Sequence, residues 1–592
     1  PGAVLERAGV AYAALEVWPH VLGVNLRMDW TELRVEITNP ESLPVARRLA
    51  RESARAARLE VERRARLRPE REFGLRRPVW DGAVLDWSVF VPNGRSLDGT
   101  RYRLGLGWNV GGGALDLELE DGPGAARVRA SWLGAWPESR WLRQAGVGDL
   151  VGTGPRPSLV RGALVTNAPF LRPAAFGFDE LTGRLAPGWE VELYRDGELV
   201  DYVRTDEQGL FRLRMPVQYG PNPVELRAYG PGGREESWER ALRVSAERLP
   251  AGAFEYGLSG GLCEARPCRA LGNLDLRYGA SRSWTLQAGV DAVERDTLPD
   301  LVHPYAGAFA TLLERVALRL EAMGRGFARG DAAYEPSPDL RLGLGWTGFD
   351  RDVTGPVFTP AGARAEWRAS AFWRPVPARR GWFLEAGARR FESATGAFST
   401  PRAGGSAQWG NVRAVGGWRR DWTEGAGFLA RRSVLELGAS GTVRWRGAPA
   451  FDRWFLRGST QWSERGADFW EALASRPLGR ATRVEARAAW QRGAGGLLVA
   501  LGVATAWPAA RSFTQVTRTP GAPLEDATFS NLTEGSVMWN APGGRLAFGP
   551  GRALRRGGLA GVVFLDANAN GRYDPGEEPL PRSEEHTSEL QS

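Results

Sequence analysis

Lysine is missing altogether from these 592 residues, and every one of the 77 basic side chains is arginine. The arginines are spread singly along the chain rather than gathered on one stripe, so they leave no electrostatic footprint for nucleic acid. Together with abundant alanine and glycine they read as the mark of a GC-rich coding sequence. Histidine is nearly as scarce, with only His20, His303 and His586, which leaves little room for imidazole-based catalysis. No Ser/His/Asp set, zinc-protease helix or phosphate loop is present. The glycines of Gly105-Leu-Gly-Trp and Gly343-Leu-Gly-Trp sit in strand patterns with no helix following, which excludes a dinucleotide fingerprint. No enzyme is expected. No run of eighteen apolar residues occurs, so no transmembrane helix is predicted. A membrane-spanning barrel stays open, because its strands of about ten residues alternate in polarity and never look strongly hydrophobic. Cysteine is limited to Cys263 and Cys268. Five positions apart in a turn-like stretch and without a neighbouring histidine, they make a poor zinc site and favour a hairpin disulfide in an oxidising compartment.

What the chain does contain is alternation. Hydrophobic residues make up 43% of it, enough to exclude a wholly disordered chain, and tryptophan is abundant at 25 residues. Tryptophan at strand ends suits the aromatic girdles of a membrane barrel, while soluble sandwich cores are the competing use. In residues 101 to 108, Tyr102, Leu104, Leu106 and Trp108 alternate with Arg101, Arg103, Gly105 and Gly107. Val84, Asp86 and Ser88 fall on one face of the preceding strand and Leu85, Trp87 and Val89 on the other. Further strands are predicted at 114–120, 126–134, 140–146 and 158–166, about six before residue 170. From about 252 to 552 the same pattern returns, as in Val316, Leu318, Leu320 and Ala322 against Arg315, Arg319 and Glu321, and Val484, Ala486, Ala488 and Trp490 against Arg483, Glu485 and Arg487. One such face suits lipid and the other a wet, charged lumen. At about 17 residues per strand and turn, roughly eighteen strands follow, for a total near two dozen. A string of soluble sandwiches should instead show self-similar units of about 100 residues, and none is visible.

Between these halves lies a segment of another kind, Gly188 to Ser245. Val191 and Leu193, Val200 and Tyr202, Phe211, Leu213 and Met215, and Val224, Leu226 and Ala228 alternate, punctuated by Asp196-Gly197, Gln208-Gly209, Gly220-Pro221 and Gly230-Pro231. This is a small Ig-like sandwich inserted into the larger pattern. A lumen of two dozen strands is too wide for side chains to fill, so a folded insert has an evident use as a plug. The insert and its approaches resemble the plug region of fimbrial outer-membrane ushers. The resemblance is carried by Gln144-Ala-Gly-Val-Gly-Asp149, by Val160-Arg-Gly-Ala-Leu-Val-Thr-Asn-Ala-Pro-Phe170, by Glu255-Tyr-Gly-Leu-Ser-Gly-Gly261 and by Arg277-Tyr-Gly-Ala-Ser-Arg-Ser-Trp-Thr-Leu-Gln-Ala-Gly289. It implies secretion and assembly of pilus subunits delivered by a periplasmic chaperone, with those proteins and outer-membrane lipid as partners.

The ends are read separately. Residues 1–47 are taken as the remnant of a periplasmic N-terminal domain, with short strands about Leu22, Val24 and Leu26 and about Leu33, Val35 and Ile37. Residues 48–78 form a charged helical linker, expected to be solvated, with anionic headgroups as the sharper alternative. Near the other end, Asp566-Ala-Asn-Ala-Asn-Gly-Arg-Tyr-Asp-Pro-Gly-Glu577 offers oxygen ligands at the alternate positions that wrap Ca²⁺. Asp566, Asn568 and Asn570 would bind by side chain, Arg572 by its carbonyl, Asp574 directly or through water, and Glu577 by both carboxylate oxygens. The competing reading is an Asn/Gly turn closed by its own hydrogen bonds. The loop resembles that of B-type sandwich repeats of bacterial surface adhesins. Residues 582–592 look like translated sequencing-adapter DNA and are set aside, so the chain is expected to be a fragment.

The expected fold is therefore all-β, a large transmembrane β-barrel of about two dozen strands with small flanking β domains. The first barrel part spans 79–171, the plug 172–247, the second barrel part 248–552, and a truncated C-terminal sandwich starts at 553–581. The expected function is an usher-like outer-membrane pore for pilus subunits. The alternatives are an orphan porin or exporter with a borrowed regulatory sandwich, and a soluble calcium-stabilised adhesin.

Overall fold

The computed structural model describes residues 80 to 554 apart from short segments, the longest being 93–98, 351–361 and 444–452. It also describes parts of 4–65, and 565–567 and 576–577. By its contacts the chain forms two compact units, residues 76–173 with 247–592 and residues 1–75 with 174–246. In chain order, two hairpins come first, β1 (Val4–Arg7) with β2 (Val10–Ala13) and β3 (Leu26–Asp29) with β4 (Arg34–Ile37). The helix α1 (Pro44–Ala65) follows them.

The larger unit is a closed antiparallel barrel. Six strands lead in: β5 (Trp80–Val91), β6 (Arg101–Val110), β7 (Gly113–Glu120), β8 (Arg127–Ala135), β9 (Gln144–Val151) and β10 (Leu159–Thr166). After the insert, which holds β11 to β16, come β17 (Phe254–Cys263), β18 (Cys268–Gly279), β19 (Trp284–Arg295), β20 (Leu301–Leu312), β21 (Val316–Met323) and β22 (Phe327–Ser337). They are followed by β23 (Leu340–Phe349), β24 (Ala363–Trp373), β25 (Phe383–Ser393), β26 (Gly396–Trp409), β27 (Val412–Gly425) and β28 (Phe428–Val443). Six more run from β29 (Trp454–Ser463) to β33 (Ala510–Arg518) and β34 (Thr528–Asn540). Each strand pairs with the next, and β34 pairs with β5 from Asn531↔Val91 to Asn540↔Gly82, which closes a ring of 24 strands. A short β35 (Arg545–Gly549) adds to the same edge of β34 that β33 occupies. At about 4.8 Å between strands and a tilt near 40°, a circular closure of this size is roughly 45 Å across the backbone.

Alternation decides the two faces. Leu104, Leu258, Leu286, Leu344, Leu435 and Leu501 point outward and lie between 41% and 68% exposed. Asp86, Asn273, Asp275, Gln287, Asp291, Glu321 and Glu534 point inward and are buried. An outward apolar band running round a closed sheet is costly in water and stable in hydrocarbon. No helix among the described residues is long and apolar enough to cross a membrane, and the apolar band lies on the strands. Counting from β5, the chain enters at one rim and leaves β34 at the same rim, the terminal rim. The connection from β10 to its neighbour β17, which carries the insert, also starts and returns there. The expected strand at 140–146 is displaced: β9 starts at Gln144, because residues 136–143 form the preceding turn, where Ser139 Oγ accepts the Leu142 amide.

The other unit holds the inserted sandwich together with β1 to β4 and α1. β11 (Ala175–Arg184) pairs with β14 (Leu210–Gln218), and β13 (Glu198–Arg204), β12 (Glu190–Arg195), β15 (Gly220–Tyr229) and β16 (Glu235–Val244) form the facing sheet in that order. Val191, Leu193, Phe211, Leu213, Met215, Val224, Leu226 and Ala228 all lie in its core, as their alternation predicts. Tyr202 does not. A bulge between Leu193 and Tyr194 shifts the pairing of β12 with β13, so Val200 packs inward while Tyr202 turns to the outer face.

Candidate functional site

A pore carries its function in its inner wall and in whatever is attached to that wall. Here the wall is lined by charge pairs. Glu321 is 3% exposed between Arg319 and Arg329, and Glu534 is held by Arg511 and Arg552. Arg103, Glu118, Glu120 and Arg129 line a cavity of about 460 Å³ with Asp86 and Ser88. Such pairing satisfies the carboxylates and keeps the lumen wettable. His303 is fully buried, with Nδ1 2.8 Å from the Gly324 carbonyl.

Both connections to the insert are pinned to this wall. On the outgoing side, Asn167 Nδ2 donates to the Phe254 carbonyl at 3.0 Å and its Oδ1 accepts the Tyr256 amide at 2.7 Å. Arg172 forms a two-point ion pair with Glu255, at 2.8 and 3.3 Å. On the return side, the Leu249 amide donates to Thr285 Oγ1 at 2.8 Å, and the Gly252 amide to the Gly279 carbonyl at 2.7 Å. Leu249 is 1% exposed, and Glu247 reaches Arg319. A Cβ on Gly279 would lie 2.0 Å from the Pro250 carbonyl oxygen, so only glycine lets the return segment approach.

The short blocks that resemble ushers coincide with these anchors. Asn167, Glu255, Gly279 and Thr285 all fall inside them, which gives the pattern a physical meaning: its residues fasten the two ends of an insert to a barrel wall. Gly289, the last residue of the fourth block, lacks a side chain for the same kind of reason. A Cβ there would meet Tyr305, whose hydroxyl donates to Asp275 at 2.9 Å.

The sandwich unit carries an arrangement that sequence reasoning missed. The helix starts at Pro44 rather than 48 and is not solvated all round. Arg55 lies 20% exposed against the outer face of the sheet, donating to Glu190 at 2.8 Å and Glu192 at 3.0 Å with its guanidinium 4.8 Å from the Tyr202 ring. Arg51 sits 4.0 Å over Tyr229. Glu192 is completely buried and also accepts from the Tyr194 hydroxyl at 2.7 Å. Burial alone would lower the Arg55 pKa, and its pairing with Glu190 and Glu192 more than reverses this, holding it above its usual value. Burial and then Glu192 push the Tyr194 phenol well above its ordinary range. Beside it, hydrogen bonds from Arg227 at 2.7 and 2.8 Å hold the Glu225 carboxyl below its usual value. Arginines at 51 and 55, four apart on a helix, were the one signal available.

Cys263 and Cys268 are bonded to each other across the β17–β18 turn, with Cα atoms 5.7 Å apart, at the rim opposite the insert's connections. Of the candidate calcium ligands, Asp566 and Glu577 are described, and Glu577 Oε1 accepts the Ala567 amide at 3.1 Å, which closes the ends of the loop on each other. Asn568, Asn570, Arg572 and Asp574 lie outside the described residues, as do the 66–78 part of the linker and the suspected adapter tail.

No protein-family model matches the sequence, and no curated protein matches it. Among solved structures, the chain is similar to the translocation pore of the P pilus usher PapC, at 12% identity and a TM-score of 0.40 over 77% of this chain and 99% of that one. It is also similar to the FrpB iron transporter from Neisseria meningitidis, at 9% and 0.31 over 78% and 82%. The copper transporter OprC gives 10% and 0.33 over 78% and 82%. At these scores the likenesses do not separate an export pore from an import receptor. The closed ring and its apolar belt place the chain among large outer-membrane β-barrels of the pore and transporter class.

Proposed function

We propose that this protein is an usher-like export pore, gated by its inserted sandwich and serving pilus subunits handed over by a periplasmic chaperone. The observation that carries the reading is the pinned insert: a self-contained sandwich joins two neighbouring strands, and both of its connections are bonded into the barrel wall at the residues of the usher-like blocks. A wide polar lumen passes folded domains only if something closes it at rest, and the sandwich is the folded element available for that role. With the start of β5, the end of β34 and the insert's connections on one rim, that rim is assigned to the periplasm, where subunits would arrive. No catalytic step is assigned, and the drive would come from strand pairing between successive subunits. The Asp566–Glu577 loop is assigned a structural Ca²⁺ in the domain that follows the barrel.

The test is deletion of residues 175–244 with both anchors kept. In planar bilayers the deleted protein should show a large, steady conductance where the full chain is closed. Heat-modifiable gel mobility establishes that it has folded, and an unchanged closed baseline in folded protein removes the gate. Co-purification with a chaperone–subunit complex separates the usher from an orphan barrel: a conductance gain without such a complex leaves an exporter or porin of another kind.

A further inference from the structure

The outward face of β23 to β28 carries a rung unlike the rest of the belt. Strand register aligns Trp346 with Trp367, Trp367 with Arg390, Arg390 with Ser399, Ser399 with Trp422, and Trp422 with Arg431. All six share the face of the exposed Trp418 and Leu435, which pair with each other two rungs deeper on β27 and β28. The rung lies three or four residues in from the rim opposite the termini, roughly 10 Å along each strand. In a membrane barrel this is the level of the headgroups, where indoles are at home. Going the other way round the ring, the same level continues into Gly330, Leu320 and Ala308, which carry no charge.

Arginine facing lipid at this depth calls for an anion. Arg390 is paired with Glu392 on its own strand at 2.8 Å and reaches Ser399 Oγ at 3.4 Å. Arg420, one rung deeper on the same face, has its guanidinium 5.1 Å from the Trp422 ring. Arg431 is exposed beside that ring. Among the described residues, the other carboxylates near the outward arginines are Glu424, which faces outward on β27 within electrostatic reach of Arg390, and Glu464, which accepts the Ser433 amide at 2.6 Å and lies within electrostatic reach of Arg420, a single charge for that pair of arginines. Of the inward arginines of the same strands, Arg389 pairs with Glu366, Arg419 with Asp421 and Arg432 with Asp468. Arg420 and Arg431 thus present two guanidiniums to the lipid boundary, flanked by Trp418, Trp422, Leu429 and Trp462. Guanidinium groups match phosphate in geometry, and flanking indoles and leucines match the acyl chains below it.

We propose that Arg420 and Arg431, with Arg390 at their edge, form a binding site for a phosphorylated glycolipid of the outer leaflet. The site rests on the barrel crossing the outer membrane with the rim of the insert's connections in the periplasm, the orientation proposed above, and not on which cargo the pore exports.

The full chain, delipidated in mild detergent, is placed in vesicles of phosphatidylcholine alone or with a bis-phosphorylated glycolipid. Retained glycolipid is read by native mass spectrometry, and stability by the midpoint of the heat-modifiable mobility shift. The wild type should retain the glycolipid and melt later with it. The double variant Arg420→Gln with Arg431→Gln should retain about tenfold less or lower, and Arg431→Lys should keep part of the affinity. Equal protection by inorganic phosphate at matched phosphorus would point to a free-anion site and overturn the lipid assignment, as would equal retention of the dephosphorylated glycolipid. If the double variant fails to fold, Arg431→Gln alone decides, and wild-type retention by that folded variant refutes the proposal.

Discussion

Replacing Gly279 by alanine should detach the return segment of the insert while leaving the barrel closed. The new Cβ would stand 2.0 Å from the Pro250 carbonyl oxygen, and backbone, not a flexible side chain, has to move. Moving it breaks the Leu249 amide to Thr285 and the Gly252 amide to the Gly279 carbonyl, each worth about 0.5–1.5 kcal/mol. It also uncovers Leu249, now 1% exposed, at about 1.5–3 kcal/mol. The total of about 2.5–6 kcal/mol corresponds to faster exchange of the Leu249 and Gly252 amides by about two to four orders of magnitude. Hydrogen exchange with peptide-level mass analysis reads this directly. Gly272→Ala, on the same strand with no atom within 4 Å of where its Cβ would stand, is the control and should change nothing. If the two variants protect residues 247–252 equally, the return segment is not held by close approach to Gly279, and the anchoring argument fails. Where the protection is lost, the resting conductance should rise as well.

Arg55→Ala should leave the fully buried Glu192 with only the Tyr194 hydroxyl, a loss of about 3 kcal/mol from the seating of α1. Trypsin should then cut α1 at its arginines far faster, while Arg55→Lys should be intermediate. The Glu225–Arg227 pair should make the sandwich acid-sensitive in a defined direction. Its carboxyl is held below its unfolded value, so its contribution is full above the unfolded pKa and is lost as pH falls through the lower folded value. Arg227→Gln should therefore flatten the dependence of the sandwich's unfolding on pH below about 5. Chelation, or Glu577→Gln, should raise protease sensitivity around residues 558–581, and no response to added Ca²⁺ would leave the Asn/Gly turn as the correct reading.

The barrel was legible because its physics is local. Strict alternation of Leu and Trp with Arg, Glu and Gly needs no knowledge of partners, and the two faces of β6, β21 and β31 (Thr482–Gln491) follow from it directly. The sandwich core was legible for the same reason, except at Tyr202, where a bulge breaks the period that the sequence alone would continue. What the sequence hides is pairing across distance. Nothing in the string around Gly279 says that residue 250 will press on it, and nothing in α1 says that Arg55 will meet two glutamates 135 and 137 positions away. The arginine rung is hidden likewise. Arg390, Trp422 and Arg431 become neighbours only once four strands are in register.

The closure of the ring has a kinetic consequence. The β5 edge waits for residues 531–540, more than four hundred positions later, and until they arrive the nascent sheet carries two long unpaired edges. Contacts of such high order are slow to form, and open edges are templates for aggregation. The closing seam is reinforced after the fact: Asp86 of β5 accepts the amides of Ala553 and Leu554 at 2.9 to 3.0 Å, and Leu554 lies against Gly105 and Gly107. Assembly therefore depends on holding an incomplete sheet until its last strands are delivered, and the residues just after β35 act as the bolt that makes the finished ring hard to reopen.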